Sequence, residues 1–317
     1  MPSVHPGLTP EVAAFYRTHS TFSDPGDLAP LYAELPSSAA QLARTARDLM
    51  IHRLEGDLFR HTHPAERLRL DAETRYLDDI LRIVIARDGS PLNRRRAAGD
   101  RFVGVCRDFA LLHCSLLRHS GVPARVRSGF ADYFGTDGFH CDHVVTEYWD
   151  EARGWLLADA QLTDPGIAAA WNVDFDPLDV PRDRFLVAGR AWRDIRAGDA
   201  DPATFGLHPP EEGPLNGEWF VAGNVRLDLA ALNKVETLLW DIWGTEAEED
   251  GRTTMTEPLR ELYDRVSLVV APDAPEDVSF EAARQLFAEE DGLRTPKTVL
   301  SMSEYNPPRQ VTLRAFD

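Results

Sequence analysis

Cysteine is scarce in this sequence: Cys106, Cys114 and Cys141 are the only three among 317 residues. An odd number with no Cys-x-x-Cys pair excludes a disulfide framework and fits a reducing, cytoplasmic setting where a thiol stays free for chemistry. Long apolar runs are missing as well, since none approaches the ~20 residues that cross a bilayer. The opening MPSVHPGLTPEVAAFYR lacks a basic segment followed by an apolar one, so no signal peptide is expected. Positive charge is in deficit: 34 Lys and Arg face 52 Asp and Glu, for a net charge of -18. Such a surface repels phosphate backbones and anionic lipid, which argues against nucleic-acid and membrane partners. Repeats of solenoid period are absent. What is present is an ordinary globular mixture, 43% hydrophobic and 27% charged, able to bury a sizeable core.

Periodicity divides the chain into a helical front, a run of strands and a mostly helical rear. Thr9-Pro10-Glu11 is a helix start, with a capping threonine and proline at the first helical position. Residues 37–54 and 71–87 read as amphipathic helices, the second with Leu77, Ile80, Leu81 and Val84 on one side. Residues 105–119 form a third, with Val105, Phe109, Leu112 and Leu116 facing the core and Gly121-Val122-Pro123 closing it. The pattern then changes to strands over 123–131, 142–150 and 153–160, the last two joined as a hairpin at Glu151-Ala152. Residues 171–184 are a loop rich in Asp and Pro, and 185–197 are predicted helical. A strong helix is predicted over 228–243, starting at Asp228. An acidic stretch from Glu246 to Asp250, helices at 256–270 and 279–290, and a possible strand in RQVTLRAF complete the chain.

Cys106 falls in the first turn of its helix. Unpaired amides and the positive end of the helix dipole stabilise a thiolate there, and the Cys106 N–H can donate to an oxyanion. Taken alone, a lone cysteine is more often a buried, inert one. His143 begins a strand and shares a face with Val145 and Glu147. A tight turn at 151–152 brings Asp159 almost opposite His143, with Cβ atoms about 5 Å apart. A carboxylate so placed fixes an imidazole tautomer and holds the ring toward a thiol. An ordinary cross-strand polar pair would have the same spacing.

Other groupings carry less chemistry. His140, Cys141 and His143 cluster in sequence, with His113 and Cys114 elsewhere, but neighbouring strand residues point to opposite faces, so a zinc site is not expected. Cys114 reads as packing, His113 as a core residue able to line a pocket, and Asp108 as an acid that complements the helix dipole. Trp192, Trp219, Trp240 and Trp243 read as core, and Arg94-Arg95-Arg96 as a solvated loop.

Three blocks carry a resemblance. Gly104-Val105-Cys106-Arg107-Asp108-Phe109-Ala110, followed by Leu116-Leu117 and Gly121-Val122-Pro123-Ala124-Arg125, resembles the cysteine block of the transglutaminase-like superfamily. Asp142-His143-Val144-Val145-Thr146-Glu147 resembles its histidine block, and Gly154-Trp155-Leu156-Leu157-Ala158-Asp159 its aspartate block, in the family's order. The resemblance implies a papain-like core with Cys106 as nucleophile, His143 as base and Asp159 as the orienting group. Asp159-Ala160-Gln161 departs from the Asp-Pro-Thr frequent in the family. The family's second oxyanion donor has no marked counterpart: Gln41 is the only glutamine before Cys106, and Tyr76 and Asn93 are the other candidates.

The expected fold is α+β: a papain-like, transglutaminase-like core in which the cysteine helix packs on an antiparallel sheet, with a mostly helical C-terminal extension. The expected division is 1–166 for the catalytic core with its helical front and 167–317 for an accessory region. The expected chemistry is acyl transfer or hydrolysis at an amide or peptide bond through a thioester. Many bacterial relatives look like hydrolases rather than cross-linkers. No cofactor or metal is expected, since no calcium-loop signature is present. A peptide N-glycanase-like amidase and a non-catalytic binding module of the same fold are the alternatives. The first lacks the zinc-binding CxxC pairs it would be expected to show.

Overall fold

The computed structural model describes residues 7–207, 215–244, 252–271 and 276–316. The acidic stretch Glu246 to Asp250 lies outside them. The fold is α+β, as expected. Helices α1 (Pro10–Arg17), α2 (Ala39–Leu49), α3 (Ala65–Asp71) and α4 (Leu77–Arg87) form the front, with strands β1 (Met50–His52) and β2 (Phe102–Gly104) paired in parallel. Helix α5 (Cys106–His119) follows, then β3 (Ala124–Ala131), β4 (His140–Asp150) and β5 (Gly154–Ala158). Helix α6 (Pro165–Ala170), β6 (Phe185–Val187), α7 (Ala188–Ala197), β7 (Phe205–Leu207), β8 (Leu215–Asn216) and α8 (Glu218–Leu232) come next. Strand β9 (Asp241–Ile242), α9 (Glu257–Val270), α10 (Glu276–Glu289), β10 (Thr298–Ser301) and β11 (Arg309–Thr312) end the chain.

The central sheet runs β6-β3-β4-β7-β8, with β5 also on β4. It is antiparallel between β3 and β4 and between β4 and β5, but β7 joins β4 in parallel. Helix α5 crosses one face. Thr146 Oγ1 donates to Ala110 O at 3.1 Å, and Val144, Tyr148, Phe109 and Leu112 share its core. That core also takes in Ala230, Val235, Val299 and Leu313, so hydrophobic packing crosses position 166.

Several elements depart from the sequence reading, each for a tertiary reason. The helix expected over 37–54 stops at Leu49, because Met50–His52 pair with Phe102–Gly104. The helix expected over 71–87 is broken at 72–76. There Asp71 accepts from both terminal nitrogens of Arg87 at 2.7 Å and from Val103 N at 2.8 Å, and Arg75 turns to Asp241 at 2.6 Å. Residues 185–187 form β6 before the helix begins at Ala188, because the exposed edge of β3 takes them as a ladder. The helix expected to start at Asp228 starts at Glu218 and ends at Leu232. Asp228 sits inside it, buried, accepting from Arg127 at 2.9 and 3.0 Å and from Ser128 N at 2.9 Å. An acid that looks like a cap is thus an internal ion-pair partner. Arg96 is buried, donating to the carbonyls of Pro91 and Arg94 at 2.8 and 2.7 Å, so the arginine run is not wholly solvated.

Candidate active site

Val105 is extended and helical geometry begins at Cys106, which sets the cysteine at the open end of α5. Asp108 locks that turn. Its Oδ2 accepts from Val105 N at 2.9 Å and its Oδ1 from Arg107 at 3.0 Å. This carboxylate occupies the space beside Gly104, where an added Cβ would come within 2.8 Å of Asp108 Oδ2. Arg107 reaches across to the carbonyls of Arg75 (2.6 Å) and Glu236 (3.2 Å), tying the first turn to two distant segments. The acid therefore does more than face a dipole; it builds the platform on which Cys106 sits.

His143 lies near the start of β4, paired with Gly129 of β3. An added Cβ at Gly129 would fall 2.2 Å from Leu186 O and 2.9 Å from the Phe185 ring, so strand β6 occupies the space a side chain would take. Phe185, Tyr133 and Phe134 surround the imidazole at centroid distances of 6.2, 5.9 and 4.9 Å. Trp171, partly exposed, packs edge-on against Phe134 at 5.0 Å and forms the outer wall.

His143 Nε2 lies 2.7 Å from Asp159 Oδ2. The strand register does not make this contact. The hairpin pairs Thr146 with Ala158 and Trp149 with Trp155, a register that extended to His143 reaches Gln161. Asp159 stands just past the end of β5. Its N–H donates to Pro177 O at 2.7 Å, its Oδ1 accepts from Gln161 N at 3.0 Å, and its Oδ2 also accepts from Tyr133 Oη at 3.0 Å. Gln161, where the family motif differs, donates its side-chain amide to Glu55 Oε1 at 2.9 Å. Glu55 in turn pairs with buried Arg47 at 2.8 Å.

Burial opposes a charged ring at His143, but the carboxylate of Asp159, its hydrogen bond and the sulfur of Cys106 outweigh it and push the imidazole up to about 10. Cys106, His143 and Asp159 are thus gathered into one buried cluster, with exposures of 5%, 3% and 2%. The other two thiols differ: burial pushes Cys114 up to about 12, and burial, helped by Asp142, pushes Cys141 up to about 11.

Residues 87–160 match the profile of the transglutaminase-like superfamily. This segment is similar to a transglutaminase-like core. It contains Cys106, His143 and Asp159 together with α5, β3, β4 and β5. Among solved structures, the crystal structure of "a Putative Cysteine Protease from Cytophaga hutchinsonii" aligns at 19% identity and a TM-score of 0.32. The alignment covers 51% of this chain and 45% of that one, so the chain spans under half of that protein's length and the likeness is too slight to weigh. No curated protein matches the chain.

Of the other residues singled out in the sequence, the structure draws most away from the Cys106–His143–Asp159 cluster. Gln41 Oε1 accepts from Ser38 at 2.7 Å on the exposed start of α2. Tyr76 Oη accepts from Arg314 N at 2.6 Å, and Asn93 is exposed on a turn. His113 is fully buried with Nε2 3.3 Å from Ala39 O, and burial lowers its pKa to about 4. His140 stacks on Phe205 at 4.6 Å. Among the described residues no three His, Cys, Asp or Glu side chains converge as a metal site, and no helix is long and apolar enough to cross a membrane. Sequence reasoning missed Tyr133, Phe134 and Phe185. Only the departure at Gln161 signalled the Glu55 network.

Proposed function

We propose that this chain is a cysteine-dependent enzyme acting at amide or peptide bonds, with Cys106 as nucleophile, His143 as acid and base and Asp159 as the orienting carboxylate. One observation carries the reading: an imidazole held at 2.7 Å by a buried carboxylate, with the only thiol placed at a helix N-terminus as its other partner. In the reactive state the sulfur's proton resides on His143. The thiolate attacks the carbonyl carbon, and the C–N bond breaks as His143 hands its proton to the departing amine. A thioester remains. Water or a second amine then attacks it, losing a proton to His143 and releasing the sulfur. Residues 167–317 serve as an accessory layer, supplying Phe185 and Trp171 to the walls. Free thiols at all three cysteines suit a reducing, cytoplasmic setting.

Iodoacetamide at mildly acidic pH tests the nucleophile. Cys106 should be alkylated well ahead of Cys114 and Cys141; equally slow labelling of all three would leave a non-catalytic module of the same fold. On glutaminyl peptides, amine incorporation against ammonia release then separates a cross-linker from a hydrolase.

A further inference from the structure

A thioester mechanism needs two hydrogen-bond donors for the oxygen of the attacked carbonyl, and the helix supplies one, the N–H of Cys106. His52, on the strand that pairs with the one leading into Cys106, can supply the other. It ends β1 in register with Gly104, two residues before Cys106, and the next N–H, of Arg53, donates to Gly104 O at 2.9 Å. Its backbone N–H is fixed to Glu55 Oε2 at 3.1 Å, and Glu55 is held by Arg47 and by Gln161, the residue whose N–H also caps Asp159. The segment carrying His52 and the segment carrying Asp159 are therefore braced by the same buried carboxylate.

The ring is oriented as well. Leu54 N donates to His52 Nδ1 at 3.2 Å. A neutral imidazole whose Nδ1 accepts carries its proton on Nε2. Burial, with the charges of Arg53, His143, Arg47 and His63, holds this ring well below the ordinary histidine range, so it is neutral and of that single tautomer near pH 7. No acceptor among the described residues takes the Nε2 proton, and the residue, though packed enough for burial to act on its ring, keeps some exposed surface through which the N–H can meet a ligand.

We propose that His52 Nε2–H and Cys106 N–H together receive the oxyanion formed when the thiolate attacks a carbonyl, which makes His52 a catalytic residue. The inference rests on the nucleophile reading given above. As the S–C bond forms, the carbonyl π pair moves onto oxygen and is held by the two donors. As the C=O bond re-forms, the leaving group departs with the proton from His143. No proton leaves His52.

Two reagents separate this role from a structural one. Acylation of Cys106 by p-nitrophenyl acetate passes through an oxyanion, whereas alkylation by iodoacetamide does not. His52→Ala should slow acylation roughly 10²–10³-fold and leave alkylation within about 3-fold, a change below 1 kcal/mol. His52→Gln, which can offer a side-chain N–H, should recover part of the acylation rate. Equal loss in both reactions, or acylation of His52→Ala at the wild-type rate, overturns the assignment. A wild-type Cys106 that reacts with neither reagent defeats the nucleophile reading itself, and the two failures are told apart in this way.

Discussion

Strand β4 carries two buried ionisable side chains on one face, His143 and Glu147, and they are treated in opposite ways. Glu147 accepts from Arg125 at 2.7 Å, Arg127 at 2.6 Å and Arg182 at 2.7 Å. Burial alone would raise its pKa, yet the three guanidiniums hold it well below the carboxylate range. Arg127 is itself clamped by Asp228. His143 has one carboxylate, three aromatic rings and a thiol. A charge with every partner supplied fixes architecture and has nothing to exchange. A charge with one strong partner and a thiol beside it has a proton to trade.

Damage at the two sites should have opposite consequences. Cys106→Ala should reduce thioester-dependent turnover by at least ~10³-fold with little change in the unfolding midpoint. Retained turnover would move the chemistry elsewhere. Glu147→Ala should do the reverse. It removes the buried carboxylate that Arg125, Arg127 and Arg182 share, and urea unfolding should show a loss of about 3–5 kcal/mol while alkylation of Cys106 in the folded fraction is unchanged. A loss under ~1 kcal/mol would mean the guanidinium cluster is not structural.

The pH dependence sharpens the contrast because the signs differ. The folded pKa of His143 is raised to about 10 from 6.5, so its contribution to stability is fully present below 6.5 and is lost as pH rises through about 10. The folded pKa of Glu147 is depressed, so its contribution is present above 4.5 and is lost as pH falls below that value. Unfolding free energies measured across pH should therefore lose their alkaline decline in His143→Gln and their acid decline in Glu147→Gln; identical profiles for the two variants would contradict the scheme. The smallest effect expected is that of Tyr133→Phe, which removes the 3.0 Å bond to Asp159. One hydrogen bond of ~1 kcal/mol should change Cys106 acylation by less than about 10-fold. It should also raise the His143 pKa, read by NMR titration, since the carboxylate loses a competing donor. An unmoved titration would reduce Tyr133 to packing.

Legibility followed the range of the interactions. Helix α5 was readable because its apolar positions recur every third or fourth residue and Gly121 stops it, and the strands because they are short runs of branched and aromatic residues. Asp228 misled because an acid before apolar residues resembles a cap, when its partner Arg127 is a hundred residues away. The break at 72–76 was hidden for the same reason, since Asp71 and Arg75 answer to Arg87 and Asp241. In the site, Cys106, His143 and Asp159 were nameable from local motifs. Tyr133, Phe185 and the Glu55–Gln161 bond were not, because nothing near them in sequence marks their partners.

The sequence by itself determined where a thiol meets a helix start and which histidine and aspartate neighbour it along the strands, because helix ends and alternating strand faces are local properties of the backbone. Tertiary structure decided the rest. Asp159 lies beyond the paired part of its hairpin and reaches His143 only because Pro177, Tyr133 and Gln161 hold it there. Side chains from distant segments had to be packed together before that carboxylate could have one position, and only packing can impose such a constraint.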